Sequence, residues 1–313
     1  MIKTGWLLVG LIICVPEPVC AQECDSLPVS TPELYPWWTL YVPGATHFHD
    51  GRIVEGFVFT TLEIGGIITG MAYDDKLRSN STSPYYNYPL LAGLQAYNID
   101  KCDFLRNRLE YISCHQPGFR YDPLTFNELL LEPFRPENIF TPITGTFVLI
   151  ALAELYLTGR NANYGFRDVE EMYFMNRYIR RNPAMAIFGA GSLAASYGAG
   201  VAEEYWLRNG LMPVLDYRYG KKKGLIYSSL FFGAMHFTNV LFSGKPDYRA
   251  ALIQVTEATI AGYFLGRSVQ RRGYDIGPAV AAHTWYDFTL MLGSFLVNPE
   301  ENVFGVEIKF TIR

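Results

Sequence analysis

The sequence predicts an all-α polytopic membrane protein, a bundle of roughly six to seven transmembrane helices. Half of its 313 residues are hydrophobic, only 18% are charged, and the mean hydropathy is +0.07. The apolar residues are clustered into runs, several of which approach the ~20 residues that a helix needs to cross a bilayer. The net charge of -4 and the lack of a basic stripe with interleaved aromatics argue against nucleic acid as a partner. The expected surrounding is a lipid bilayer.

The N-terminus is typical of a secretory signal peptide over residues 1–21. Lys3 provides the positive charge, residues 5–15 form the apolar stretch, and small residues precede a cut after Ala21. An uncleaved signal anchor is the alternative. A signal peptide on such a chain indicates a bacterial host, so we expect an integral protein of the bacterial inner (cytoplasmic) membrane.

Five cysteines occur in the chain, and two of them would leave with the signal peptide. The remaining three show no CxxC spacing, which argues against a zinc knuckle or a full disulfide framework. Cys102 and Cys114 either pair, if their loop is extracytoplasmic, or stay free thiols.

The N-terminal half divides into a polar lead-in, residues 22–52, and a membrane region, residues 53–181, with two or three helices and a Pro-rich loop. The runs 53–71 and 139–158 have spanning length. The aromatic run 85–100 is either a second span or an interfacial helix.

The stretch 101–138 is charged and contains four prolines, which predicts a loop that starts at Lys101. Four acids lie inside apolar runs, and we expect each to be buried and paired with a polar group of a neighbouring helix. They are Glu55, Glu63, Glu154 and Glu257. A metal site at His47 and His49, two apart in a turn, is a further hypothesis.

The C-terminal half, residues 182–297, contains four apolar segments, the first rich in small residues that permit close helix packing. The segments are 184–203, 224–243, 250–267 and 277–297. The stretch 159–182 before them is polar and marks a boundary. The tail, residues 298–313, ends in an alternating pattern that predicts a strand or an exposed tail. Loop Lys and Arg residues are nearly balanced, eight against seven, so the positive-inside rule leaves the orientation open.

A charged cluster ends the first of these segments, formed by Glu203, Glu204 and Arg208. On a helix, Glu204 and Arg208 are four apart and share a face, whereas Glu203 is rotated by about 100° from that pair. Arg208 therefore neutralises one carboxylate and leaves Glu203 unpaired. Charges in a membrane span are expensive, and an unpaired carboxylate there suits general-base chemistry. The alternative is a capped helix end at the membrane surface.

Two of the five histidines lie deep in apolar segments. His236 follows Phe232 by four residues, so the aromatic ring can cover one side of the imidazole. His283 precedes Asp287 by four, so the carboxylate can orient the imidazole and stabilise its protonated form. One such histidine is equally well a hydrogen-bonded packing residue. Two of them, together with a pair of acids, favour a catalytic site.

These pieces occur in order as Glu203-Glu204-x-x-x-Arg208, Phe232-x-x-x-His236 and His283-x-x-x-Asp287. Together they resemble the motif set of the CPBP family, the CAAX proteases and bacteriocin-processing proteases that are also called the ABI family. The resemblance covers about residues 182–297. It implies an intramembrane endopeptidase whose catalytic core occupies the C-terminal four helices, and the chain before this segment lies outside it.

The resemblance also implies roles for individual residues. Glu203 corresponds to the carboxylate that activates water, and Glu204 with Arg208 to the structural pair of the first motif. His236 would hold or polarise that water. The chemistry agrees, since peptide hydrolysis needs an activated water, a donor for the oxyanion and a proton route to the leaving amine.

The third motif departs from the family, in which it often ends in Asn, because Asp287 donates a hydrogen bond only when it is protonated. We expect Asp287 to hold His283 as an imidazolium, which then stabilises the tetrahedral oxyanion. No cofactor is expected. The alternative is a zinc site formed by Glu203, His236 and His283, with Asp287 as a fourth or outer ligand.

Two other classes of function fit parts of the sequence. A non-catalytic membrane immunity or binding scaffold would keep the same fold. A transporter would show two similar halves, and the sequence shows no such symmetry. Every motif position carries a usable residue, which favours the enzyme. The expected substrate is a peptide or a membrane protein.

Overall fold

The computed structural model describes a bundle of helices with one small sheet. The described residues are 34–80, 88–115, 126–174, 177–241, 248–302, 304 and 307–311. The structure is 81% helical, as the predicted fold class requires. The predicted signal peptide, residues 1–21, lies outside the described residues and stays a prediction.

The first part of the described chain, up to His115, contains two long helices that pack against each other. In order, the elements are a 3-10 turn, Trp37–Leu40, and the helices α1, Ala45–His49, α2, Ile53–Asn80, and α3, Tyr88–His115. Helices α2 and α3 approach closely where two glycines meet, since a Cβ added at Gly66 would lie 2.6 Å from the Cα of Gly93. Such small-residue contacts let helices associate in lipid, where apolar side chains gain little by leaving the solvent.

The predicted loop that starts at Lys101 is wrong, because α3 continues as a helix to His115. Lys101 is fully buried and paired with Asp100, its neighbour in the chain. Its ammonium group also donates to the carbonyl oxygens of Thr39 at 3.0 Å and Val42 at 2.7 Å. The sequence alone does not distinguish a lysine that is buried with its hydrogen-bond partners from a lysine in a surface loop.

The pairing alternative for Cys102 and Cys114 is also wrong within one chain. Both residues lie on α3, where twelve residues (114 − 102 = 12) correspond to about 18 Å along the axis, far beyond the reach of a disulfide. Cys102 is a buried free thiol that donates to the carbonyl oxygen of Tyr205 at 3.3 Å.

The described chain from residue 126 onward is arranged around its last long helix. The helices are α4, Phe126–Leu129, α5, Pro136–Ile139, α6, Pro142–Gly159, α7, Arg181–Glu204, α8, Met212–Tyr219, α9, Lys221–Leu241, α10, Tyr248–Arg271, and α11, Gly277–Val297, with 3-10 turns at Glu132–Phe134, Phe166–Asp168 and Pro299–Glu301. A π-helical segment, Tyr205–Leu211, joins α7 to α8 without a break. Residues 277–284 of α11 are all buried, and this helix packs against α6 and α7. Helices α9 and α10 pack against each other.

Local chemistry explains where two of these helices begin. At the start of α6, the Thr141 side chain accepts a hydrogen bond from the Thr144 amide at 3.3 Å, and Pro142 occupies the first turn. Both features are typical of helix N-termini. At the start of α11, an Asp275 carboxylate oxygen accepts from the Gly277 amide at 3.1 Å.

A three-stranded antiparallel sheet joins the tail to the start of α7. Strand β1, Val169–Phe174, lies between β2, Arg177–Arg180, and β3, Ile308–Phe310. Met172 of the central strand is buried in a cluster with Phe188 of α7 and other apolar residues. The strand predicted in the tail is therefore confirmed for residues 308–310. The stretch predicted only as a polar boundary contains the β1–β2 hairpin.

Three stretches of the described chain are long and apolar enough to cross a membrane. They are Ile53–Ala72, Pro142–Gly159 and Arg181–Tyr219. Large apolar side chains on α2, α6 and α10 point outward, with Phe57, Leu149 and Leu252 each more than 60% exposed. Such a surface suits lipid and not water. The predicted class, a polytopic helical membrane protein, is confirmed.

The other stretches predicted to span the membrane, 224–243, 250–267 and 277–297, fall in α9, α10 and α11. These helices are not among the three apolar stretches.

Two of the four acids that were expected to be buried are exposed. Glu55 is 54% exposed and accepts a hydrogen bond from Arg52 at 2.8 Å in the first turn of α2. Glu257 is exposed on α10. Glu63 is buried, and Glu154 accepts from a tyrosine hydroxyl of α11 at 2.9 Å. Glu154 is half-buried and pairs with the neighbouring helix as expected, whereas Glu63 is buried but its Oε1 has no hydrogen-bond partner among the described residues.

The buried Asp100–Lys101 pair predicts a large effect on stability. Replacement Lys101→Met keeps most of the side-chain volume but leaves the Asp100 carboxylate without its cation, which we expect to cost about 3–5 kcal/mol. Thermal denaturation in detergent measures the loss. The control is Lys309→Met, which breaks the exposed pair with Glu171 and should cost less than about 1 kcal/mol. Equal losses in the two variants would contradict this account.

Candidate active site

The first motif lies where α7 changes into the π-helical segment, directly after Glu204. Single π-helical turns are frequent at functional sites, because the wider turn changes which side chains share a face. The ion pair expected from helical phase is present, with Arg208 Nη1 donating to Glu204 Oε1 at 2.9 Å. Both side chains are almost fully buried.

Arg208 has two further partners. Its Nη2 donates to the carbonyl oxygen of Gly262 on α10 at 3.3 Å, and its guanidinium lies 4.3 Å from the ring centre of Phe232 on α9. A carboxylate, a carbonyl and an aromatic face together compensate a cation that has left water. A side chain at position 262 would occupy this space, since its Cβ would lie 2.8 Å from the Phe232 ring.

His283 of α11 is anchored by Glu204. Its Nδ1 lies 3.0 Å from Glu204 Oε1, and because a carboxylate only accepts, Nδ1 carries the hydrogen. Its Nε2 then faces two other carboxylates, Asp287 Oδ2 at 3.5 Å and Glu203 Oε2 at 3.9 Å. Asp287 was expected to orient His283, but the shorter contact comes from Glu204, which was expected to pair with Arg208 alone.

Glu203 has one engaged and one open oxygen. Its Oε1 accepts a hydrogen bond from Gln95 Nε2 of α3 at 2.8 Å, so the carboxylate is not entirely unpaired as expected. Its Oε2 has no hydrogen-bond partner within the described part of the chain. This oxygen lies 3.9 Å from His283 Nε2 and is itself buried, so a water that bridges the two atoms needs the neighbouring side chains to move apart.

His236 and His283 both contact the aromatic ring of Phe232. The Phe232 ring meets His236 edge-on at 4.7 Å and His283 at 5.7 Å, so the predicted covering of the His236 imidazole is confirmed. His236 Nδ1 lies 2.9 Å from the Phe232 carbonyl oxygen. Because a carbonyl only accepts, Nδ1 is the donor and Nε2 is available to accept a proton or a hydrogen bond.

The structure therefore brings five of the six proposed site residues into direct contact, and places the sixth, His236, one ring away. The side chains of Glu203 and Asp287 are 14% and 29% exposed, whereas Glu204 and the Oε2 atom of Glu203 are buried. Gln95 was missed by sequence reasoning, because a single glutamine 108 residues before Glu203 belongs to no motif.

Among the described residues, no group of three or more His, Cys, Asp or Glu side chains is arranged to hold a metal ion. Neither the proposed zinc set nor the pair His47 and His49 forms such a group. His47 instead lies within 3.4–3.7 Å of the carboxylates of Asp100 and Asp103. Burial, the main cause, lowers the pKa of His47, which favours its neutral form.

Comparison with known families covers the segment that contains all three motifs. Residues 185–289 match the family model Rce1-like, described as type II CAAX prenyl endopeptidase Rce1-like. This segment is similar to that family. The match confirms the resemblance to the CAAX proteases and indicates a protease in general and an integral membrane protein. It spans about a third of the chain and does not include α2 or α3. No curated protein and no solved structure matches the chain.

The distance between the Rce1-like helices α7 and α11 depends on Gly200. A Cβ at this position would lie 2.9 Å from the backbone nitrogen of Thr284, the residue after His283, and closer still to its hydroxyl. We expect Gly200→Ala to destabilise the protein by about 1–3 kcal/mol and to separate Glu203 from His283. Thermal denaturation measures the first effect.

The matched control for this variant is Gly198→Ala on the same helix, where an added Cβ has no described atom within 4 Å. Alanine should be tolerated there, with a gain of up to about 1 kcal/mol from helix propensity. If both variants lose the same stability, the close α7–α11 contact does not limit the packing.

Proposed function

We propose that this protein is an intramembrane endopeptidase that hydrolyses a peptide bond with a water molecule activated by Glu203. One observation carries the proposal most directly. The Glu203 oxygen that has no hydrogen-bond partner among the described residues lies 3.9 Å from His283 Nε2. Both groups belong to a largely buried network with Glu204, Arg208 and Asp287. The Rce1-like match to the same segment supports a protease as the general class.

Glu203 would act as the general base. Its Oε2 takes a proton from the water as the oxygen attacks the carbonyl carbon of the scissile bond. The protonated carboxyl group can then deliver the proton to the leaving amine, so that the base is restored when the C–N bond breaks. His236, with its free Nε2, would position the attacking water.

His283 would stabilise the oxyanion of the tetrahedral intermediate. Nδ1 is engaged by Glu204, so Nε2 is the nitrogen that can donate to a developing negative charge. Asp287 at 3.5 Å favours the protonated imidazole that this role requires. Such a donor is most effective in a site with little water, where charges are weakly screened.

The substrate class that we propose is a peptide or a membrane-protein segment. The family description names prenylated CAAX proteins as substrates of its members. The exposed apolar surfaces of α2, α6 and α10 suit contact with lipid, which supports a substrate that is itself anchored in the membrane.

The catalytic roles are tested with Glu203→Gln and His236→Ala in liposomes. The probes are one peptide sequence in two forms, one S-farnesylated at a C-terminal CAAX box and one anchored by a transmembrane helix. We expect each variant to lose about 10²- to 10⁴-fold in cleavage rate, because each removes a group that handles the proton or the water. Mass spectrometry of the products gives the rate and the cleaved bond.

The control for this experiment is Glu110→Gln, which changes a half-exposed acid on α3 and should cleave at the parental rate. If folded Glu203→Gln and His236→Ala proteins also cleave at the parental rate, the endopeptidase proposal fails. A parent that cleaves neither probe favours the non-catalytic scaffold with the same fold.

The metal-free form of the mechanism makes a separate prediction. We expect purified active protein to contain well under one zinc per chain and to keep its rate in the presence of a chelator, since the carboxylate and the two imidazoles supply a base and donors themselves. Elemental analysis and the cleavage assay measure both quantities. One zinc per chain, lost in His283→Ala, would instead establish the zinc alternative with Glu203, His236 and His283 as ligands.

A further inference from the structure

Gln95 is the one side chain of the N-terminal half that a hydrogen bond connects to the proposed base, among the contacts of the described residues. Its Nε2 donates to Glu203 Oε1 at 2.8 Å. It lies on α3, outside the segment that matches the Rce1-like family. The two oxygens of Glu203 are therefore not equivalent, because one is held by an amide donor and the other is open.

The amide of Gln95 is itself held in one orientation. Asn98 is buried, and its Nδ2 donates to Gln95 Oε1 at 3.3 Å. A donor on the oxygen side leaves the NH₂ group of Gln95 directed at Glu203. The amide cannot be flipped without losing both hydrogen bonds, so the donor for Glu203 is pre-oriented by its neighbour one turn along α3.

Helix α3 is also fixed against the segment that follows Glu203. Cys102 donates to the Tyr205 carbonyl oxygen at 3.3 Å. At Gly210 a Cβ would lie 2.8 Å from the side chain of Leu105, so the two backbones are in close contact. The position of Gln95 relative to Glu203 is thus set by a packed helix pair and not by a loop, which is what precise placement of a catalytic group requires.

We propose that Gln95 is a positioning residue of this active site, which holds Oε1 of Glu203 so that Oε2 is the oxygen that takes the proton from water. The inference rests on the proposed function of Glu203. It assigns to the N-terminal half a direct part in the chemistry of the C-terminal half. A hydrogen bond to the charged carboxylate also lowers the reorganisation that the base needs during proton transfer.

The kinetic test uses Gln95→Leu, which removes the donor, and Gln95→Glu, which keeps the size but has no N–H. We expect kcat on whichever probe the parent cleaves to fall about 10- to 100-fold, the loss typical of a hydrogen bond to a charged group. KM should not change, because the interaction acts on the base and not on substrate binding.

The matched control is Gln270 on α10, whose Nε2 donates to Asp216 Oδ2 at the same 2.8 Å. Asp216 is not part of the site, so Gln270→Leu and Gln270→Glu should keep the parental kcat. Equal falls in kcat for the Gln95 and Gln270 variants would show a general loss of packing and would overturn the proposal.

An infrared measurement tests the contact without a substrate. The difference between the parent and Glu203→Gln isolates the carboxylate bands of Glu203, and we expect these bands to shift in Gln95→Leu, because one oxygen loses its donor. Unchanged bands, or an unchanged kcat in Gln95→Leu, overturn the proposal. A failure of the proposed function gives a different result, because Glu203→Gln would then cleave at the parental rate, independently of the result for the Gln95 variants.

Discussion

The arrangement of the candidate site depends on how the buried charge of Arg208 is balanced. A lone guanidinium inside the bundle would be prohibitively costly, and Glu204 is the acid that compensates it. The same carboxylate oxygen also holds Nδ1 of His283. The ion pair between Glu204 and Arg208, at the end of α7, thereby fixes the orientation of the His283 imidazole on α11, so that Nε2 of His283 points toward Glu203. Glu204 thus sets the position of His283 relative to Glu203.

Much of this site follows from helical phase, because residues four apart on one helix must share a face. The pairing of Glu204 with Arg208 and the covering of His236 by Phe232 are both of this kind, and both are present. The contacts that were missed or misassigned join different helices. Gln95 reaches Glu203 from α3, and Glu204 reaches His283 from α7. Such distances are set by how helices pack, which no spacing within one segment encodes.

The fold shows the same division. Runs of apolar residues predicted the long helices and the membrane class, because burial in lipid selects for composition over about 20 residues. The prediction failed at Lys101, where a charge was interpreted as a loop although its partners Asp100, Thr39 and Val42 satisfy it inside the protein. The prediction was incomplete at the β1–β2 hairpin, because its strands are short and of mixed polarity and show no clear strand pattern in the sequence. The pairing of β1 with β3 from the distant tail contributes to this sheet and cannot be seen in the local sequence.

The sheet at the start of α7 has a consequence for where the C-terminal tail lies relative to the candidate site. From Arg181 to Glu204 the helix rises by about 35 Å, close to the thickness of the hydrocarbon layer. The sheet lies at the Arg181 end of this helix, and the C-terminal tail joins the sheet as β3. The tail and Glu203 therefore lie at opposite ends of α7, and a label attached to β3 would report on a part of the molecule that is separated from the candidate site by the whole length of this helix.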